Sequence, residues 1–260
     1  MIDIEFVKNS FDKYMSRYDM SNQLIYLKYH HTYRTCKQSL NICKSLNLNE
    51  EDTNLAYLIA LLHDFGRFEQ ARVYNTFDDL KSIDHADLGC KLLFENGLIR
   101  NFIIDDSYDE IIRKAILWHN KYSIDEDLNE RELMHAQIIR DADKLDIVYN
   151  ITNLEQIDFK DDNSEISDYV KDAYKNKLSV KMGKNYTKND SLLTRFAFVF
   201  DLNFNYSFKY YKENRIIEKM YSMIKEKSKF KEYIEIINEY IEGKCKNVRN
   251  KVFTQTSRRR

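Results

Sequence analysis

The sequence predicts an all-α protein, on three observations. Proline is absent from the 260 residues, where average usage of about 5% would give roughly 13. Glycine, the other helix breaker, occurs only 5 times. Apolar residues recur at intervals of three and four in one stretch after another, the period of helices that bury one face. Apolar content of 43% and charged content of 32% suit a globular chain with a sizeable core and exclude wholesale disorder. A net charge of −1 gives no general pull towards nucleic acid or an anionic membrane.

Taken in order, residues 2–20 carry Ile4, Phe6, Val7, Phe11 and Tyr14 and predict a first helix. Residues 22–47 predict a longer one, with Leu24, Leu27, His31, Cys36, Leu40 and Cys43 on one broad side. His30 and His31 stand about 100° apart on such a helix, so one of them points inward, and His31 shares the side of Leu27. A loop at 47–51 leads to a helix marked by Leu55, Leu58, Ile59 and Leu62, with Asp52 or Thr53 as its cap. It ends at His63-Asp64, and Gly66 is placed to close it in a left-handed turn. Residues 65–83 then read as a long irregular stretch that covers a substrate. Asp84 is a helix cap, with Asp87 as a capping-box acid and His85 in the first turn. Ile111, Ile112, Ala115, Ile116 and Trp118 make a buried helix ending at His119-Asn120. Ile138, Ala142, Leu145 and Tyr149 mark the core stripe of a helix over about 130–150. Asp143 lies beside that stripe between Ile139 and Ile147, Asp146 is near the same face, and Asp141 looks elsewhere.

A histidine next to a carboxylate at the end of a buried helix is costly to desolvate without a partner. A cation is such a partner, because it takes neutral imidazole and ionised carboxylate together. Six candidate ligands arise in this way from five segments: His31, His63, Asp64, His85, His119 and Asp143. Successive segments are 22 to 34 residues apart, the distances of helix hairpins that return to one place in a bundle. For His85 and His119 the alternative is plain helix capping, and for any one histidine it is a satisfied core residue. All six histidines fall between 30 and 135, and that clustering favours a metal.

In this order the motifs His31-Thr-x-Arg34, His63-Asp64-x-Gly-Arg67, Asp84-His85-x-x-Leu-Gly, Trp118-His119-Asn120 and Asp141-Ala-Asp143-Lys144 resemble the HD-domain superfamily of metal-dependent phosphohydrolases. The resemblance covers about 25–150. It implies a helical bundle in which His31, His63, Asp64 and Asp143 hold one metal. It further implies that His85 and His119 are the extra pair of two-metal members, with Asp64 bridging. The Gly-Tyr-Pro signature of the cyclic-diguanylate-degrading branch is missing, and so is a synthetase partner domain of the stringent-response branch.

Mixed imidazole and carboxylate ligands suit Mn, Fe, Co, Ni or Zn, whereas Mg would want more oxygen. Two such ions can activate a water and clamp both oxygens of an in-line phosphoryl displacement. Arg67 is placed to contact phosphate through its fork, or is a surface arginine. Lys144 is a second phosphate candidate, or pairs with Asp141, or is solvated. The expected function is hydrolysis of a nucleotide or another small phosphate ester, with Asp64, Arg67 and Lys144 as catalytic residues. Its rivals are an HD-fold di-iron oxygenase and a non-enzymatic nucleotide sensor.

Cys36 and Cys43 lie on one helix face, where a core role suffices, and Cys90 and Cys245 complete no Cys-x-x-Cys pair. No leader-like segment opens the sequence and no apolar run approaches the ~18 residues of a membrane span. A cytoplasmic protein with free thiols is expected, without a membrane or a specific nucleic acid among its partners. Beyond 150 the functional signal fades. Turns are predicted at 161–164 and 182–185, followed by an aromatic core run from Leu192 to Phe208 and helices at about 208–227 and 229–242. The expected division is a metal-binding helical domain over 1–155, a helical extension packed on it over 156–250, and a basic, disordered tail at 251–260.

Overall fold

A computed structural model of the chain describes residues 2–124, 127–154, 159–181, 183 and 186–256, with side chains up to 246. Every regular element among the described residues is helical, as the absence of proline and the apolar periodicity predict. The chain divides into two compact units, Met1–Asp146 and Ile147–Arg260.

In the first unit, α1 (Ile4–Met15) starts at Asp3, whose carboxylate accepts from the amides of Glu5 and Phe6. It buries Val7, Phe11 and Met15. Helix α2 (Gln23–Leu46) is capped by Asn22 and stops at Asn47, which adopts the left-handed conformation. Its buried side includes His31, Cys36, Ser39, Ile42 and Cys43. His30 stays half-buried, its ring against those of Tyr26 and Tyr29. Helix α3 (Glu50–Leu62) is buried at every position from Leu55 to Leu62, and each large apolar side chain there contributes about 1.5–3 kcal/mol on leaving water. Its cap is Asn49, whose side chain accepts from the Asp52 amide at 2.8 Å. Asp52, one of the two expected caps, instead accepts from Arg131 at 2.7 Å and faces His135 at 3.1 Å.

Two expectations fail just after α3. The chain bends at His63-Asp64 and re-enters a helix at once, α4 (Phe65–Tyr74), so residues 65–74 are not an irregular loop. Phe65, Phe68 and Ala71 are buried along it, and that packing overrides the polar look of the segment, because helix propensity is a weak prior. Gly66 is helical and no left-handed stop; its role is steric. A Cβ there would overlap the carbonyl oxygen of His85 and lie 2.7 Å from the amide nitrogen of Gly89. Only a glycine lets α4 cross α5 (His85–Cys90) backbone to backbone.

Asp84 caps α5 as expected, accepting from the amides of Ala86 and Asp87 at 2.9 and 3.1 Å. Asp87 does not close a capping box, since its carboxylate takes Lys121 Nζ at 2.9 Å. Helix α6 (Asp109–Trp118) buries Ile111, Ile112, Ala115 and Ile116. Helix α7 (Glu130–Tyr149) carries the 138–145 stripe, with Ile138, Ala142 and Leu145 buried.

The second unit holds α8 (Asp168–Lys175), α9 (Lys188–Phe196), α10 (Asn205–Glu213), α11 (Ile216–Ser222) and α12 (Lys227–Thr256). Helix α9 starts with a reciprocal capping box between Thr187 and Asp190. The expected helix at 208–227 is broken in two at Arg215, which takes a positive φ of 53°. The aromatic run supplies core rings: Phe196 packs on Phe159, and Phe200 on Tyr174 and Tyr240, with centroids 5.1–5.4 Å apart. At the 161–164 turn, Ser164 N donates to Asp162 Oδ1 at 2.9 Å. Of the 182–185 turn only Gly183 is described, and of the basic tail 251–256 continue α12 while 257–260 lie outside the described residues.

The crossing of α4 and α5 gives a sharp test. Helix propensity alone would make Gly66→Ala stabilising by ~1 kcal/mol. The clash is with backbone, which cannot rotate away, so Gly66→Ala is expected to cost about 3 kcal/mol. At Gly89 an added Cβ would meet Gly66 N at 3.3 Å, and Gly89→Ala should be close to neutral as the two effects offset. Denaturant unfolding of the two variants checks the contrast.

Candidate metal centre

The centre is assembled in the first unit from helix sides and helix ends. Helix α2 presents His31, the bend after α3 presents His63 and Asp64, the first turn of α5 presents His85, the end of α6 presents His119, and α7 presents Asp143. All six sequence-predicted ligands meet there, in two groups that share Asp64: His31, His63, Asp64 and Asp143, and Asp64, His85 and His119. Within each group the potential ligand atoms lie within 4.8 Å of one another.

Asp64 is buried, and its two oxygens face different ways. Oδ2 lies 3.3 Å from His31 Nε2 and 3.3 Å from His63 Nε2. Oδ1 lies 3.3 Å from His85 Nε2 and 3.7 Å from His119 Nε2. Asp143 Oδ1 completes the first group at 3.0 Å from His31 Nε2 and 3.7 Å from His63 Nε2. Ligands about 2.1 Å from one ion sit roughly 3.0–3.4 Å from each other in octahedral or tetrahedral arrangements. The observed separations fall at that spacing or just beyond it, so the residues fit a metal.

The imidazoles are all held by the opposite nitrogen. His63 Nδ1 donates to Ala60 O at 2.7 Å and His119 Nδ1 to Ile116 O at 2.6 Å. A carbonyl only accepts, so the proton is on Nδ1 in both rings and the Nε2 lone pair is directed into the centre. His31 Nδ1 bonds Asp146 Oδ2 at 2.7 Å, and His85 Nδ1 bonds Asp79 Oδ2 at 2.7 Å. Carboxylates and helix-end carbonyls behind imidazole ligands are the outer support expected of metal sites. Nε2 of His31 and of His63 are buried, face only carboxylate oxygens and make no well-aligned hydrogen bond to them, an arrangement that a cation between them would satisfy.

Electrostatics separates the two groups. Burial and Lys28 work against the His31 imidazolium, yet Asp143, Asp146 and Asp64 outweigh them and raise its pKa to about 10. His63 is also raised, with Asp64 and Asp143 overcoming burial. His85 is lowered to about 4 by burial and by Arg67, against the pull of Asp79 and Asp64. Burial lowers His119 too. Asp64 and Asp143 stay ionised, their pKa values well below the usual range because cations and imidazoles around them override burial.

Several supports were not legible in the sequence. Asp79, in the segment expected to be irregular, accepts from Arg67 and Gln70 at 2.7 and 2.8 Å while holding His85. Arg140 is buried and donates to the carbonyls of Trp118 and Lys121 at 2.6 and 2.7 Å, which fixes the end of α6 that carries His119. Lys28 forms an ion pair with Asp64 Oδ2. Helical spacing is the one signal that could have found Lys28, three residues before His31. Of the two other catalytic candidates, Arg67 spends Nη1 on Gln70, Phe77 O and Asp79 and holds Nε 3.7 Å from Asp64 Oδ1. Lys144 is buried, with Nζ 3.5 Å from Arg140 O. His135, buried on α7, faces Asp52 and lies outside both groups.

Two outcomes follow from this geometry. His31→Ala should abolish metal uptake at the four-ligand group while His30→Ala leaves it intact, measured as metal per chain after dialysis. Below about pH 10 a metal ion must displace a proton from His31. Uptake at pH 8 should therefore release about one proton or more, and apparent affinity should climb with pH between 6.5 and 10. Calorimetry in buffers of different ionisation enthalpy reads that proton directly.

A family model described as the HD domain matches residues 29–147, a range that encloses every member of both groups. Comparisons with curated proteins and with solved structures found no match. Fold, ligand set and family match agree: residues 29–147 of this chain are an HD domain, a helical fold that binds divalent metal ions.

Proposed function

We propose that this protein is a phosphohydrolase that uses two divalent transition metals, from among Mn, Fe, Co, Ni and Zn, to hydrolyse a nucleotide or another small phosphate ester. The observation that carries the reading is Asp64, one buried carboxylate with each oxygen turned to a different group of imidazoles. A carboxylate so placed would be shared by both groups if each held an ion. Such a pair supplies an activated water and neutralises the charge of an in-line displacement.

The chain's own residues take the remaining tasks. His31, His63 and Asp143 would hold a first ion with Asp64, and His85 and His119 would hold a second. Asp146, Asp79 and the carbonyls of Ala60 and Ile116 hold the rings so that no reorientation is needed during turnover. Arg67 ties Asp64 to the 76–83 segment, and its charge, with that of Lys144 next to Asp143 in the chain, favours an anionic substrate. Lys28 and Arg67 beside Asp64 suit a substrate that carries negative charge.

Phosphate release across a nucleotide and phosphomonoester panel, with Mn, Ni, Co and Mg compared, tests the reading. Turnover with Mn, Co or Ni and little with Mg is expected. Oxygen consumption by the iron form without phosphate release would replace it. His85→Ala combined with His119→Ala should reduce two metals per chain to one and cut hydrolysis by about 100-fold or more as one clamp is lost. Unchanged metal content in that double variant would leave both histidines as helix caps and remove the two-metal proposal.

A further inference from the structure

Two cations lie against Asp64, and they differ in what else holds them. Arg67 is anchored by Gln70, the Phe77 carbonyl and Asp79. Lys28 reaches in from α2 as an ion pair with Asp64 Oδ2, the same oxygen that His31 and His63 face at 3.3 Å. Its side chain is 17% exposed, so the ammonium lies at the border between the buried carboxylate and solvent. The Phe77 ring, 5.6 Å from Nζ, stands on another side of it.

An ammonium and a divalent ion in contact with one carboxylate oxygen compete for it, because like charges at that separation repel in a poorly solvated site. The lysine is the one that yields. It has a flexible four-carbon stem and an open side, whereas an ion at Oδ2 would gain two imidazole nitrogens and Asp143 as further ligands. Once displaced, Nζ remains within a few ångströms of the centre and lacks an anion. Resting on the phosphohydrolase reading, we infer that Lys28 is a substrate-binding residue: its ammonium is the counter-ion of Asp64 in the metal-free chain and passes to the phosphate oxygens of the substrate when metal takes Asp64. Metal loading and phosphate recognition are then coupled through one side chain.

The test uses the full chain with Mn²⁺ alone and then with inorganic phosphate. Free Mn²⁺ is followed by electron paramagnetic resonance, and phosphate affinity for the loaded protein by calorimetry. Lys28→Met should bind Mn²⁺ as tightly as the natural chain or more tightly, since a competing cation is gone, and should bind phosphate about ten-fold or more weakly. Lys28→Arg should recover most of the phosphate affinity. Phosphate affinity unchanged in Lys28→Met overturns the inference and leaves the phosphohydrolase reading standing. Loss of Mn²⁺ in both variants assigns Lys28 to support of the site and also overturns it. A natural chain that takes up Mn²⁺ and binds no phosphate overturns the phosphohydrolase reading itself.

Discussion

The centre depends on one carboxylate being kept ionised where water does not reach. Removing a carboxylate from water costs several kcal/mol even after the protein relaxes around it, so Asp64 persists only because positive charge and ring nitrogens surround it. Its backbone is part of the arrangement. Asp64 separates two helices with φ −99° and ψ 20°, the sparsely populated bridge region where functional residues often sit. A continuous helix through 50–74 would aim this carboxylate along one face. The bend turns it so that each oxygen meets imidazoles from different helices.

The imidazoles show why capping and ligation are not rival accounts. A helix end leaves carbonyls without partners, and His63 and His119 each satisfy one three residues back through Nδ1. The same bond fixes the tautomer and turns Nε2 towards Asp64. His31 and His85 reach the same orientation through carboxylates. A histidine has two nitrogens, so it can finish a helix with one and offer the other to a metal. Judged from sequence, the two roles compete; in the fold, the first role produces the geometry of the second.

What the sequence disclosed and what it hid divide along that line. The helices with a strong apolar period, α2, α3, α6 and α7, were legible, and so was the phase that puts His31 inward and His30 outward. The six residues that meet in the two groups were legible because histidines and aspartates at buried helix ends are chemically conspicuous. Helix α4 was hidden, because Gly66, Arg67, Glu69 and Arg72 look like loop and only the burial of Phe65 and Phe68 against distant residues makes it helical. Asp79, Gln70 and Arg140 were hidden for a related reason. Asp79 meets Arg67, Gln70 and His85 across an irregular turn, Arg140 meets backbone carbonyls, and no helical period marks such contacts. The left-handed stop assigned to Gly66 failed because glycine has two uses, conformational freedom and small size, and a sequence does not say which is in force.

Small size at Gly66 bears on the chemistry as well as the fold. Asp64 belongs to the chain segment that opens α4, and His85 is the first residue of α5. The distance between the Asp64 carboxylate and His85 is therefore set by how closely α4 and α5 approach. Side chains at a helix crossing adjust by rotation, but here the Gly66 backbone faces the His85 carbonyl and Gly89 directly, so the approach has little play. A carboxylate shared by two ions would demand that kind of rigidity, since an error of about 1 Å between its oxygens and their imidazoles would favour one ion over the other. The same backbone contact that looks like a packing detail thus fixes the spacing between Asp64 and His85.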